Sequence, residues 1–204
     1  MPVTRIDRRE QMATQTRRDI LQAARQLFAE RGYVATSIGE IAEEAGVAVQ
    51  TIYARVGSKH GLLTALIEFI DEESGLHEGS AAVLTATRPK EVLRAGISIT
   101  RAFQERCGDI IGALFAAAAV EPDLNDAVAE GRRRHRHGAH VTVNRIAELG
   151  GLRENLPAVQ ATALLSAATG HDAWHEIVQA HRLSWEQAEV ALNDALGRAI
   201  LKRP

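Results

Sequence analysis

The chain has 204 residues, 46% of them hydrophobic and only 4% aromatic, with a formal net charge of −2; it can bury a substantial core in one or two domains. Its Ala-, Leu-, Glu- and Arg-rich runs favour helix nearly throughout, and no alternating strand pattern of useful length interrupts them. The lone Cys107 excludes an internal disulfide or a multi-cysteine metal site and fits a packing role in a reducing cytoplasm, while neither a signal-peptide core at MPVTRIDRREQMATQTRR nor a long uncharged run points to secretion or a membrane.

Arg5, Arg8, Arg9, Arg17 and Arg18 crowd the N-terminus, and acids outnumber bases beyond about residue 60. Residues 1 to about 13 read as an arm, either reaching toward nucleic acid or merely solvated; Arg17 is a candidate phosphate contact. A first helix is expected over Thr16–Arg31, with Ile20, Ala23, Ala24, Leu27 and Phe28 as its inner stripe and Gly32 after its end.

The segment from Thr36 to Leu63, TSIGEIAEEAGVAVQTIYARVGSKHGLL, is the most informative stretch. Ser37 and Glu40 have the three-residue spacing of a capping box, so a second helix begins just after Ser37. Ile38, Ile41, Ala42 and Ala45 then recur at helical steps, and Gly46 ends the helix as the residue that takes the left-handed conformation cheaply. Val47 plugs the corner, and Ala48–Ala54 supplies two further turns with Ile52 facing inward. Two short helices about such a turn form a helix-turn-helix, whose second helix enters the major groove. Gln50 pairs well with adenine and Thr51 with either a base edge or a thymine methyl. Ser58 caps the next helix, and Lys59 in that helix's first turn opposes the dipole preference for acids there, which suits an ammonium aimed at a phosphate.

The phrases ILQAARQLFAERGYVATS, IAEEAGVAVQTIY and GSKHGLL, in this order and spacing between about Thr16 and Leu66, resemble the N-terminal domain of the TetR family of transcriptional regulators. The resemblance implies phosphate contacts from Thr36, Tyr53 and Lys59 and base contacts from the helix carrying Val49, Gln50 and Thr51. Two positions depart from the family pattern. Val56 replaces a usual aromatic residue, which lightens the packing between helices, and Gly39 lies inside the second helix at about 0.5–1 kcal/mol relative to Ala.

Beyond a boundary near Gly57, a connecting helix carries Leu62, Leu63, Leu66, Ile67 and Ile70. Further helices are expected at roughly Pro89–Arg106, Asp109–Ala119, Pro122–Leu149, Pro157–His181 and Ser184–Leu201. The fold class is therefore all-α, about nine helices, and the resemblance implies that residues 1–57 form an N-terminal arm and a three-helix DNA-binding domain, and residues 58–204 a helical effector-binding and dimerisation domain. The last two helices, with Ala161, Leu164, Leu165 and Ala168 and then Trp185, Ala188, Ala191, Leu192, Ala195 and Leu196, have small residues that permit close approach. They resemble a common TetR-type C-terminal domain, which implies a homodimer through a four-helix bundle reading a palindromic operator in double-stranded DNA.

The resemblance also implies an effector cavity, for which Phe103, Ile110, Ile111, Leu114, Phe115, Trp174 and Ile177 are candidate walls, with His171 hydrogen-bonding a polar ligand group. The whole reads as a sequence-specific regulator, a repressor released from its operator by a small molecule, without cofactor or catalytic residues. The alternative is a metal sensor or metal enzyme using the His-rich C-terminal part, where His171 and His175 share a helix face and RRRHRH starts at Arg132. A zinc-peptidase helix carries a Glu next to its first His, absent here, and there is no Gly-rich phosphate loop and no Ser-x-x-Lys or Gly-x-Ser-x-Gly motif. A protein-binding scaffold that has lost DNA binding is a third reading, countered by Thr36, Gln50, Tyr53 and Lys59 all being in place.

Overall fold

The computed structural model describes the backbone of residues 5–73 and 76–203, and side-chain surroundings for residues 11–68 and 80–203. Expectations for residues 1–4 of the arm and for the side chains of Arg5, Arg8, Arg9 and Ile70 lie outside them. Among the described residues the architecture is all-α, as expected: α1 (Arg5–Arg31), α2 (Ile38–Glu44), α3 (Val49–Val56), α4 (Lys59–Glu73), α5 (Leu76–Thr85) and α6 (Pro89–Ala118) come first. A 3-10 turn at Pro122–Leu124 leads into α7 (Asn125–Glu148), followed by α8 (Ala158–Ala168), α9 (His171–His175, continuing as a π-helical turn over Glu176–Ala180) and α10 (Trp185–Ile200).

The chain divides into two compact units, Met1–Glu73 with Asp109–Leu124, and Ser74–Gly108 with Asn125–Pro204. In the first, Ile20, Ala23, Ala24, Leu27 and Phe28 of α1 are buried together with Ile41, Ala42, Ile52, Leu62, Leu63 and Leu66. Those leucines bring α4 against α1 and α3, so this unit continues through α4 instead of stopping at Gly57. In the second, α7 packs against α5 and α8, and α8 against α10, around a core holding Leu93, Ile97, Val143, Ile146, Leu165, Trp174, Leu192 and Ile200.

Four boundaries differ from the sequence reading. Helix α1 starts at Arg5, so most of the expected arm is helical. Helix α5, LHEGSAAVLT, is not among those expected: His77, Glu78, Gly79 and Ser80 interrupt its apolar periodicity. The two helices read around Asp109 are one continuous α6: Cys107 and Ile110 are both buried, and this packing outweighs the helix cost of about 1 kcal/mol for Gly108. Conversely, the single helix read over Pro157–His181 breaks: α8 ends at Thr169, and Gly170 adopts an extended conformation ahead of α9.

Candidate nucleic-acid interface

The local geometry of α2 and α3 follows from a few side chains. Ser37 accepts a hydrogen bond from the Glu40 amide, and Glu40 in return accepts from the Ser37 amide at 2.8 Å, closing the capping box. The Ser37 bonds, with support from Arg31, hold the Glu40 carboxyl below the usual carboxylate range. Gly46 turns the chain at φ 64°, and the Val47 amide donates to the Ala42 carbonyl at 2.9 Å, satisfying an end of α2 before α3 begins.

Helix α3 buries Ile52 and turns Gln50 and Tyr53 to solvent, while Val49 and Thr51 are half-buried. A helix of eight residues anchored by one buried isoleucine thus presents a polar face on which Gln50 is free to pair with a base edge. Arg17, Tyr53, Arg55, His60, Thr64 and Glu68 line one shallow open groove beside it, with Arg17 3.7 Å from Glu68. Arg17 and Tyr53, singled out separately in the sequence, therefore come together.

Lys59 opens α4. The Ser58 hydroxyl accepts from the Gly61 amide at 2.9 Å, the expected cap. The Lys59 ammonium stands 4.4 Å from the centroid of the Tyr33 ring and donates to the Val34 carbonyl at 3.3 Å. Partial burial moves its pKa down, against an opposing pull from Glu121 and Glu40. The side chain is ordered in advance, with further N–H donors to offer a phosphate.

Thr36 is a correction. The resemblance assigned it to a phosphate contact, but it is only 2% exposed, and its hydroxyl faces the carbonyls of Gly32 and Leu27 at 2.9 and 3.2 Å. It is a clasp that closes the end of α1, because a buried hydroxyl needs an acceptor and the last turn of a helix supplies unsatisfied carbonyls.

The expected effector-site residues divide between the two units. Ile110, Ile111, Leu114 and Phe115 belong to the first, where Ile110 and Leu114 are buried core. Phe103, His171, Trp174 and Ile177 belong to the second. There α6 and α9 meet through polar bonds: the Trp174 indole N–H donates to Thr100 Oγ1 at 3.2 Å, and His171 Nδ1 lies 3.0 Å from Gln104 Oε1. Trp174 is fully buried and tilts against Trp185, so it is a core residue with a satisfied N–H. His171 and His175 do stack, their ring centroids 5.9 Å apart, but among the described residues no group of three or more His, Cys, Asp or Glu is arranged to hold a metal ion. His135 is engaged with the Ser166 carbonyl and His140 with Asn144.

Sequence reasoning missed Tyr33, His60 and Glu121, whose side chains converge beside Lys59. Glu121 lies 88 positions from Tyr33, and no local pattern marks such a pair.

Comparison with known proteins bears on the fold. Residues 20–66 match the family described as bacterial regulatory proteins, tetR family. An uncharacterized HTH-type transcriptional regulator, YvkB, of Bacillus subtilis (strain 168) is 33% identical over 118 residues, which are 56% of this chain and 59% of that relative, so the match spans little more than half of either. Among solved structures, SmeT in complex with triclosan, from Stenotrophomonas maltophilia, superposes with a TM-score of 0.70 at 22% identity over 92% of each chain. A bacterial regulatory protein in the tetR family from Rhodococcus RHA1 gives 0.71 at 17% identity, over 93% of this chain and 98% of that one. At these identities the structural likeness shows a shared fold. Among the described residues, no helix is long and apolar enough to cross a membrane.

Proposed function

We propose, for a chain that belongs to the tetR family of bacterial regulatory proteins through residues 20–66, that it is a homodimeric repressor which reads a palindromic operator and leaves it when a small molecule binds. The observation that carries the DNA-binding part is the face of α3 beside the ordered Lys59: Gln50 and Tyr53 exposed, Ile52 buried beneath them. Val49, Gln50 and Thr51 read bases, and Arg17, Tyr53 and Lys59 hold phosphates.

Dimerisation is supported by an apolar surface on the last helices. Leu164 on α8 and Val190 on α10 are exposed, and Ala167, Ala191 and Ala195 near them are exposed as well. Small residues beside larger ones let helices of a second copy approach closely, and two reading helices related by a twofold axis cover two half-sites. The effector reading is supported by SmeT, a neighbour in fold that was solved with triclosan. In this chain Phe103, His171 and Ile177 are the candidates to meet a ligand, with His171 as its polar partner and Trp174 in the core behind them. Such a ligand must bind one of two conformations better in order to shift DNA affinity.

The test is a fluorescence-anisotropy titration of the purified protein against DNA flanking its own gene, at two salt concentrations, with an unrelated duplex as control. Selective, salt-sensitive binding is expected, with Gln50→Ala relaxing preference at particular bases and Lys59→Ala weakening binding to every sequence and lowering the salt slope by about one. Equal, weak binding to both duplexes, unchanged by either substitution, would remove the DNA-binding reading.

A further inference from the structure

Just beyond the end of α6, one carboxylate gathers residues from the other side of its unit. Glu121 Oε1 accepts the Tyr33 hydroxyl at 2.5 Å, and Glu121 Oε2 accepts from His60 Nδ1 at 2.9 Å; a carboxylate can only accept, so Nδ1 carries the proton in this pair. Tyr33 is buried, and a buried phenol must place its O–H on an acceptor. Burial and then this bond push the phenol pKa up, so Tyr33 remains a donor. The bond to Tyr33 and then those to His60, with the nearby Lys59 charge, hold the Glu121 carboxyl below the usual range, which keeps it ionised. A hydrogen bond to an ionised acceptor is among the stronger, more directional kind.

The Tyr33 ring is therefore fixed at both ends: its hydroxyl by Glu121, its face by Phe28, whose ring centroid is 5.1 Å away. Over this ring stands the Lys59 ammonium, and the next residue, His60, is held by the same carboxylate. We infer that Glu121 is a positioning residue for DNA binding: it sets the Tyr33 ring as a platform on which Lys59 is ordered before it meets a backbone phosphate. An acid this close to a DNA-contacting lysine would by charge alone weaken binding, so positioning and repulsion have opposite signs and are separable. The inference rests on the DNA-binding reading of Lys59.

A random-sequence duplex serves as the probe, because a phosphate contact is independent of sequence. Full-length parent, Glu121→Ala, Glu121→Gln, Tyr33→Phe and Lys59→Ala, and each of Glu121→Ala and Tyr33→Phe combined with Lys59→Ala, are titrated by anisotropy across a salt series. Glu121→Ala and Tyr33→Phe should each weaken binding roughly three- to tenfold, the scale of one lost hydrogen bond. Glu121→Gln, which keeps an acceptor for the Tyr33 hydroxyl and drops the charge, should bind at least as tightly as the parent. Combined with Lys59→Ala, neither substitution should weaken binding further. Glu121→Ala binding as well as the parent or better, or its loss adding in full to that of Lys59→Ala, overturns the inference and leaves Lys59 as a phosphate contact. An unchanged Lys59→Ala overturns both readings together. Should Glu121→Ala fail to fold in a circular-dichroism melt, Tyr33→Phe, which preserves the ring, decides the question by the same comparison.

Discussion

Gly61 lies so close to the end of α3 that a Cβ built on it would stand 2.1 Å from the Val56 carbonyl oxygen. The obstacle is backbone, which cannot swing away as a side chain can. The first turn of α4, and Lys59 in it, is thus set against α3 by the absence of a side chain at one position. Gly61→Ala should cost about 1–3 kcal/mol, the usual scale of forced overpacking, and should weaken DNA binding beyond that by displacing Lys59 from α3. Thermal melts and the anisotropy assay check the two effects; a variant with the parent's melting temperature would show that the approach is looser than stated.

Thr36→Val separates a clasp from a phosphate contact. The substitution preserves shape and removes the hydroxyl that reaches Gly32 and Leu27. Stability should fall by about 1–2 kcal/mol, while the slope of log affinity against log salt stays that of the parent. A slope reduced by about one with unchanged stability would restore the phosphate role.

Leu164→Glu and Val190→Glu test the exposed apolar surface on α8 and α10. Both parent side chains are open to solvent, Leu164 at 44% and Val190 at 62%, so neither change disturbs packing within the chain. If a second copy covers this surface, light scattering should show monomers, because a carboxylate buried without a partner is costly, and operator affinity should fall at least about tenfold through loss of the paired half-site contact. Variants that remain dimeric would place the interface elsewhere.

His171 makes stability depend on pH. Burial lowers its pKa below the ordinary 6.5, a pull that His175 reinforces and Asp172 opposes. The unfolded chain then binds this proton more readily than the folded one, so the histidine's neutral form contributes stability that is complete above the unfolded pKa and is lost as pH falls below it. The parent's melting temperature should drop more between about pH 7 and pH 5.5 than that of His171→Gln, since that range brackets the histidine pKa. Parallel drops in both proteins would show that His171 is not the group responsible.

Local chemistry alone made the helix-turn-helix legible. Ser37 with Glu40, Gly46 and Ser58 are signals whose partners lie within a few positions, and each acts as expected. The buried stripe of α1 was legible for the same reason, because helical periodicity repeats every three or four residues. The continuity of α6 through Gly108 was not, since propensity argued for a break and burial of Cys107 and Ile110 overruled it. Nor was the break at Thr169 and Gly170, where the backbone leaves the helical conformation in a stretch that periodicity alone would continue.

By itself, then, the sequence determined a helix-turn-helix pattern that resembles a known family, an all-helical fold, and the helix that carries Gln50 beside a lysine suited to phosphate. Only the tertiary structure decided what surrounds those residues. It buried Thr36 away from solvent, joined Arg17 and Tyr53 in one groove, and brought Glu121 to Tyr33 and His60 across 88 and 61 positions of chain. The physical reason is range: caps, turns and periodic stripes are decided by neighbours along the backbone, whereas burial and long-range hydrogen bonds depend on which distant segments the core brings together.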